Sequence, residues 1–202
     1  MAMSTTTKLM AVNTMLSTVG EAPVNNLLSV TADVRIAESI LDEVSREVQS
    51  VPWHFNTEKD VQLIPDSTGN INLASNIVRV DLEDANVSAD YDIAVRGSKL
   101  YNRKTNSYTF TATLKYTTVT MMDWEYLPEP AKRYIMIRAA RIYQDRLLGS
   151  EKISTFNRID EMGALVALRH FEMDTADYSV FDNYDVARIV DRTSVLNQLD
   201  RG

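Results

Sequence analysis

The chain has 202 residues, 45% of them hydrophobic and 24% charged, with a formal charge of -7 and a pI near 4.9. That balance argues against a free-standing DNA binder, which carries a basic footprint. The lack of cysteine removes disulfides, thiolate metal sites and cysteine nucleophiles. No run of about 18 apolar residues is available to span a bilayer, so no membrane partner is expected. The N-terminus has no charged region followed by an apolar block, so no signal peptide is expected and synthesis is placed in the cytoplasm of the producing cell.

Leu9, Val12, Leu16 and Val19 recur at helical spacing and predict a helix from about Thr7 to Val19, with hydroxyls at Thr5 to Thr7 to cap it and Gly20 to end it. Pro23 keeps Ala22 out of the helical region, so Gly20 to Val24 reads as an extended connection. A second helix is capped by Thr31 or Asp33 and stopped by Pro52. Its predicted apolar line is Ile36, Ile40, Val44 and Val48, with Glu38, Asp42, Arg46 and Gln49 facing out.

After Trp53-His54-Phe55-Asn56 the period changes. Val61 and Leu63, then Ile77, Val78 and Val80, read as short strands. Ile93–Arg96 and Lys99–Asn102 flank Gly97-Ser98, a two-residue hairpin signal with Gly first. Leu114 to Thr120 is a β-branched run.

Leu127 to Gly149 is the stretch around which the chain is organised. Pro128 and Pro130 suit the first turn of a helix, and Gly149 suits the left-handed residue past its end. Ala131, Ile135, Ala139 and Ile142, widened by Tyr134, Ile137, Ala140 and Tyr143, make it apolar over most of its circumference. Such a helix must be covered on several sides, which asks for a bundle. Arg138, Arg141 and Asp145 keep one polar edge. A last helix from Glu151 to Ala176 has Phe156, Ile159, Met162, Leu165, Val166 and Met173 as its apolar positions. Gly163 within it is expected to mark close approach of a neighbouring helix. Tyr178 to Gly202 reads as an extended arm.

The expected fold class is α+β. Residues 1–56 and 123–177 form a bundle of about four helices, residues 57–122 a small, mostly antiparallel β domain inserted between them, and residues 178–202 an extended C-terminal arm.

Chemistry-bearing motifs are sparse. His54 and His170 are isolated and read as packed or interface histidines rather than metal ligands. Asp182-Asn183-Tyr184-Asp185 lacks the glycine and final glutamate of a calcium loop and reads as a solvated turn. Asp81, Glu83 and Asp84 read as a loop at a strand end. None of the six glycines makes a phosphate-cradling loop, and no G-x-S-x-G elbow occurs. No catalytic residue, cofactor or metal is assigned. Arg133, Arg138, Arg141 and Arg146 make the central helix locally basic. They read as a polar edge matched by Glu38, Asp42 and Glu47 of the second helix, in preference to a DNA contact.

Several strings carry a resemblance. They are Ala11-Val12-Asn13 with Gly20-Glu21-Ala22-Pro23-Val24, Glu47-Val48-Gln49-Ser50 leading to Trp53-His54-Phe55-Asn56, Leu63-Ile64-Pro65-Asp66, Leu100-Tyr101-Asn102, and Leu127-Pro128-Glu129 with Tyr134, Arg141 and Gly149. In order and spacing the chain resembles the tail tubular protein A family, the head-to-tail adaptor or gatekeeper of short-tailed phages. The likeness runs to about residue 175, and Pro52 stands where the family tends to have Gly.

The resemblance implies a structural virion protein of the tail with no catalytic step. It implies a homo-oligomer, a twelvefold ring in the virion, with the portal protein above and the tail nozzle protein, tail tubular protein B, below. Phage DNA would pass through the lumen without sequence-specific binding during ejection. Tyr178, Phe181, Tyr184 and Ile189 of the arm are the expected portal contacts, and Arg138, Arg141 and Arg146 the candidate subunit-interface residues. The rival from another class is a tail-associated glycan hydrolase acting on host envelope polysaccharide, which needs two carboxylates in a cleft, one of raised pKa. A third reading is a nucleic-acid module using the central-helix arginines.

Overall fold

The structure, a computed structural model, describes residues 5–28, 31–83, 91–149 and 151–175, without the side chains of 151–157. Helix α1 (Lys8–Thr18) starts where the Thr7 hydroxyl accepts the Met10 N–H at 3.2 Å. The connection after Gly20 is held by Asn13, whose side chain both donates to the Val24 carbonyl (2.9 Å) and accepts its N–H (2.8 Å). Helix α2 (Ala32–Gln49) has Thr31 at its N-cap, without a side-chain cap bond. After a short 3-10 turn (His54–Asn56) come β1 (Thr57–Leu63), β2 (Ile77–Leu82), β3 (Ile93–Arg96), β4 (Lys99–Asn102) and β5 (Leu114–Thr120). A second 3-10 turn, Trp124–Tyr126, leads to α3 (Glu129–Leu148) and α4 (Glu151–Thr175).

The fold is α+β, with four helices and small antiparallel sheets among the described residues. Helix α3 has Pro128 at its N-cap, Pro130 in its first turn and Gly149 at its C-cap, whose φ of +60° is the left-handed conformation that glycine adopts without strain. It packs against α1, α2 and α4, as its broad apolar surface requires. Ala131, Tyr134, Ile135, Ala139 and Tyr143 are buried there against Val12, Met15 and Leu16 of α1 and Ala37, Leu41 and Val44 of α2. Two polar side chains join this core. Lys132 runs its chain inside and donates to the Glu125 carbonyl at 3.3 Å, and Gln144 donates to the Thr18 carbonyl at 3.1 Å, satisfying an end group of α1.

Among the described residues the β part has two sheets, a three-stranded one in the order β1-β5-β2 and the β3-β4 hairpin, all antiparallel. The hairpin turns at Gly97-Ser98 as expected, with Gly97 at φ +60°. A second core gathers Ile71, Leu73, Val80, Leu100, Phe110, Leu114 and Tyr116. The loop before Ile71 is organised by Asp66. Its carboxylate accepts from the Thr68 hydroxyl and N–H, the Asn70 N–H and the Asn72 amide. These donors, the Thr68 hydroxyl first, hold the Asp66 carboxyl at about 2, well below its ordinary 3.8. A depressed carboxyl contributes stability above its unfolded pKa and loses it as pH falls through the folded value. The Asp66 contribution is therefore complete above about pH 4 and vanishes toward about pH 2. Comparing the acid limb of thermal stability in wild type and Asp66→Asn checks this: the variant should be flatter over that window, and identical limbs would refute it.

The two parts meet at a polar neck. Gln49, 2% exposed, accepts the Met122 N–H (2.7 Å) and donates to the Met122 carbonyl (3.2 Å), so the end of α2 grips the chain leaving β5. Buried Asn56 donates to the Gln49 carbonyl (2.8 Å) and accepts the Trp53 N–H (2.8 Å), while the Trp53 indole N–H caps Val48 (2.8 Å). Three expectations are corrected here and a fourth is narrowed. Gln49 does not face out, because two backbone groups of Met122 need it. Ile36 is 42% exposed, and the buried line of α2 is Val34, Ala37, Ile40, Leu41, Val44 and Val48. His54 and His170 are exposed, which removes the packed alternative and leaves the interface one. Gly163 does not face a close neighbour, since a Cβ there would meet nothing within 4 Å.

Candidate assembly surface

Helix α4 is held to the body by few apolar residues. Among its described side chains only Ala164 and Leu168 are buried, with Leu165 packed beside them. Its other predicted apolar positions are turned away from the core: Ile159 is 66% exposed, Met162 68%, Val166 47% and Met173 56%. Steps of three, four and seven residues put these four on one helix face. Ala164 and Leu168 form the face that packs, and the bulky stripe lies outside it. Phe156, the sixth predicted position, lies outside the described side chains.

Beside the stripe a groove of about 630 Å³ separates α4 from α1 and α3, with Ile137 and Ala140 on one wall and Ile159, Gly163 and Ala167 on the other. The open space over Gly163 is part of this groove. The stripe and the groove together place exposed apolar residues side by side along α4.

Ion pairs also tie α4 to the body. Glu161, with 14% of its side chain exposed, receives Arg141 through Nε and Arg138 at 3.4 Å. Arg141 also reaches Asp145 at 3.0 Å, and Arg138 reaches Glu47 of α2 and the Tyr134 hydroxyl. The Glu161 carboxylate raises the Arg141 pKa further, with burial opposing it. At the far end of α4, Glu172 accepts the His54 N–H. Arg146 makes a fork with Glu43 of α2, 3.1 Å on each arm.

Every one of the candidate interface arginines therefore has an acidic partner in its own chain. Glu47 is the partner expected from α2. Glu38 and Asp42 instead pair with Lys8 of α1, each at 3.0 Å, and Glu43 and Glu161 take the other arginines. Reversing Arg141 to Glu should place a second carboxylate against Glu161 and lower the stability of the isolated chain by about 2 kcal/mol. Urea unfolding of the monomer checks this, and an unchanged midpoint would show that the Arg141 pairs are solvated and weak.

The arm residues Tyr178, Phe181, Tyr184 and Ile189 and the Asp182–Asp185 turn lie outside the described residues, as does Asp84. Of the other acids near β2, Asp81 pairs with Arg79 at 2.6 Å and Glu83 accepts from the Asp60 N–H and the Thr117 hydroxyl. Among the described residues no group of three or more His, Cys, Asp or Glu is placed to hold a metal ion, and no helix is long and apolar enough to cross a membrane. The carboxyls whose pKa shifts are held low by donors, Glu43 by Arg146 and Asp60 by Lys115 being two.

Among the described residues a helical core, an exposed apolar face on α4 and a second core among the strands make up an α+β protein. The chain belongs to the tail tubular protein family, whose model matches residues 9–178. It is thus a structural component of a phage tail. No curated protein matches the chain.

Proposed function

We propose that this tail protein is the ring-forming head-to-tail adaptor, joining the portal protein to the tail nozzle protein and letting genome DNA pass during ejection. The observation that carries the reading, beside family membership, is the apolar face of α4 with its adjoining groove. A closed ring needs a heterologous interface, in which one flank of each subunit receives a different flank of the next. Ile159, Met162, Val166 and Met173 supply one such flank, and a twelvefold ring repeats the contact around the axis. The arm, through Tyr178, Phe181, Tyr184 and Ile189, reaches the portal. The acidic balance of the chain suits a lumen that repels DNA instead of retaining it.

The arginine edge has a different part in this reading. Arg138 and Arg141 latch α4 to the body, and so fix the angle at which the apolar face meets the next subunit. Electron microscopy of the chain mixed with its portal tests the proposal. A ring stacked on the portal is expected, and failure to associate with either portal or nozzle would overturn it.

A further inference from the structure

A second, smaller cleft lies on the opposite side of α4 from the groove. It measures about 230 Å³ and is lined by Val48, Val51, Trp53, Tyr134 and Leu165, with Glu47, Arg138 and Arg169 at its edge. This is below the roughly 300–1,000 Å³ of small-molecule sites and suits one or two protein side chains. Of its two cations, Arg138 is already paired with Glu47 and Glu161, and Arg169 is the one left for a new carboxylate. Arg169 is exposed and in no ion pair among the described residues, and the buried Nε of Arg138 has no hydrogen-bond partner among them. The cleft thus asks for an aromatic or aliphatic side chain followed at once by an acid.

The chain carries that pattern just past α4, in Tyr178-Ser179-Val180-Phe181-Asp182-Asn183-Tyr184-Asp185. The distances allow it to fold back. Arg169 lies six residues before the end of α4 at Thr175, about 9 Å at the helical rise, and the six residues 176–181 span up to about 20 Å extended. We propose that in the free chain the segment 178–185 docks in this cleft of its own subunit, Phe181 over Trp53 and Leu165, with the Asp182 carboxylate accepting from Arg169 and the Arg138 Nε–H. The docking does not depend on the adaptor reading. It gives the arm a defined seat before any partner is met.

The cysteine-free chain makes the test clean. Cysteines are introduced in the full-length protein at exposed Val51 and at Val180, and in a control at Val51 and Ser194. Disulfide formation needs the two Cα atoms within about 7 Å. The 51–180 pair should close within one subunit at least about tenfold faster than the 51–194 pair. Arg169→Glu should slow the 51–180 pair, and adding Asp182→Lys should restore it. Equal rates for the two pairs, cross-linked dimers in place of an internal bridge, no effect of Arg169→Glu, or no rescue by the charge swap would each overturn the proposal.

Discussion

Replacing Gln49 by Leu is expected to destabilise the protein by about 3 kcal/mol, although Leu has nearly the same volume and is more apolar. The cost arises at Met122. Its N–H and carbonyl both lose their partner at 2.7 and 3.2 Å, and each unsatisfied group inside a folded protein costs about 1–3 kcal/mol. The change also weakens the neck where α2 holds the exit of β5, with Asn56 left as the main tie at its entry. Urea unfolding should therefore show a lower midpoint together with a smaller slope, because the helical and β parts no longer unfold as one. A stability within 0.5 kcal/mol of wild type, the range of ordinary surface changes, would show that Gln49 is incidental to the fold.

Replacing Met162 and Val166 together by Lys should have the opposite profile. Both side chains are exposed, 68% and 47%, and neither belongs to the buried cluster. Monomer stability is expected to stay within about 0.5 kcal/mol. Assembly should fail, because two charges would have to be desolvated at every seam of the ring, and an uncompensated buried charge costs several kcal/mol. Multiplied around a ring, that loss is decisive. Unimpaired ring formation by the double variant would move the seam elsewhere, with the arginine edge the next candidate.

The central helix was legible because its signals are local. Prolines at one end, glycine at the other and apolar residues on nearly every side specify a covered helix without knowledge of its neighbours. The β hairpin at Gly97-Ser98 was legible for the same reason. Helix α4 was not. Its large apolar residues mark an apolar side, yet the face that packs is the one with Ala164 and Leu168, joined by Leu165 alone of the predicted positions. Periodicity reports that a helix has an apolar face but not whether that face meets its own chain or another one. Gly163 carried the same ambiguity, since a glycine in a helix marks either a close neighbour or an open groove. The signal that could have separated them is the acid Glu161, set on the same helix as the bulky stripe and able to reach two arginines of α3. Gln49 was misplaced because its role depends on Met122, which lies 73 residues away.

The central claim is that the exposed face of α4 is the seam of a ring that seats on the portal. Sedimentation of the wild-type chain and of the Met162→Lys, Val166→Lys variant, each alone and with portal, tests it most directly. The wild type is expected to co-sediment with portal as a ring complex, while the folded variant stays at monomer size in the same mixture. A variant that co-sediments as the wild type does, or a wild type that never joins the portal, would contradict the account.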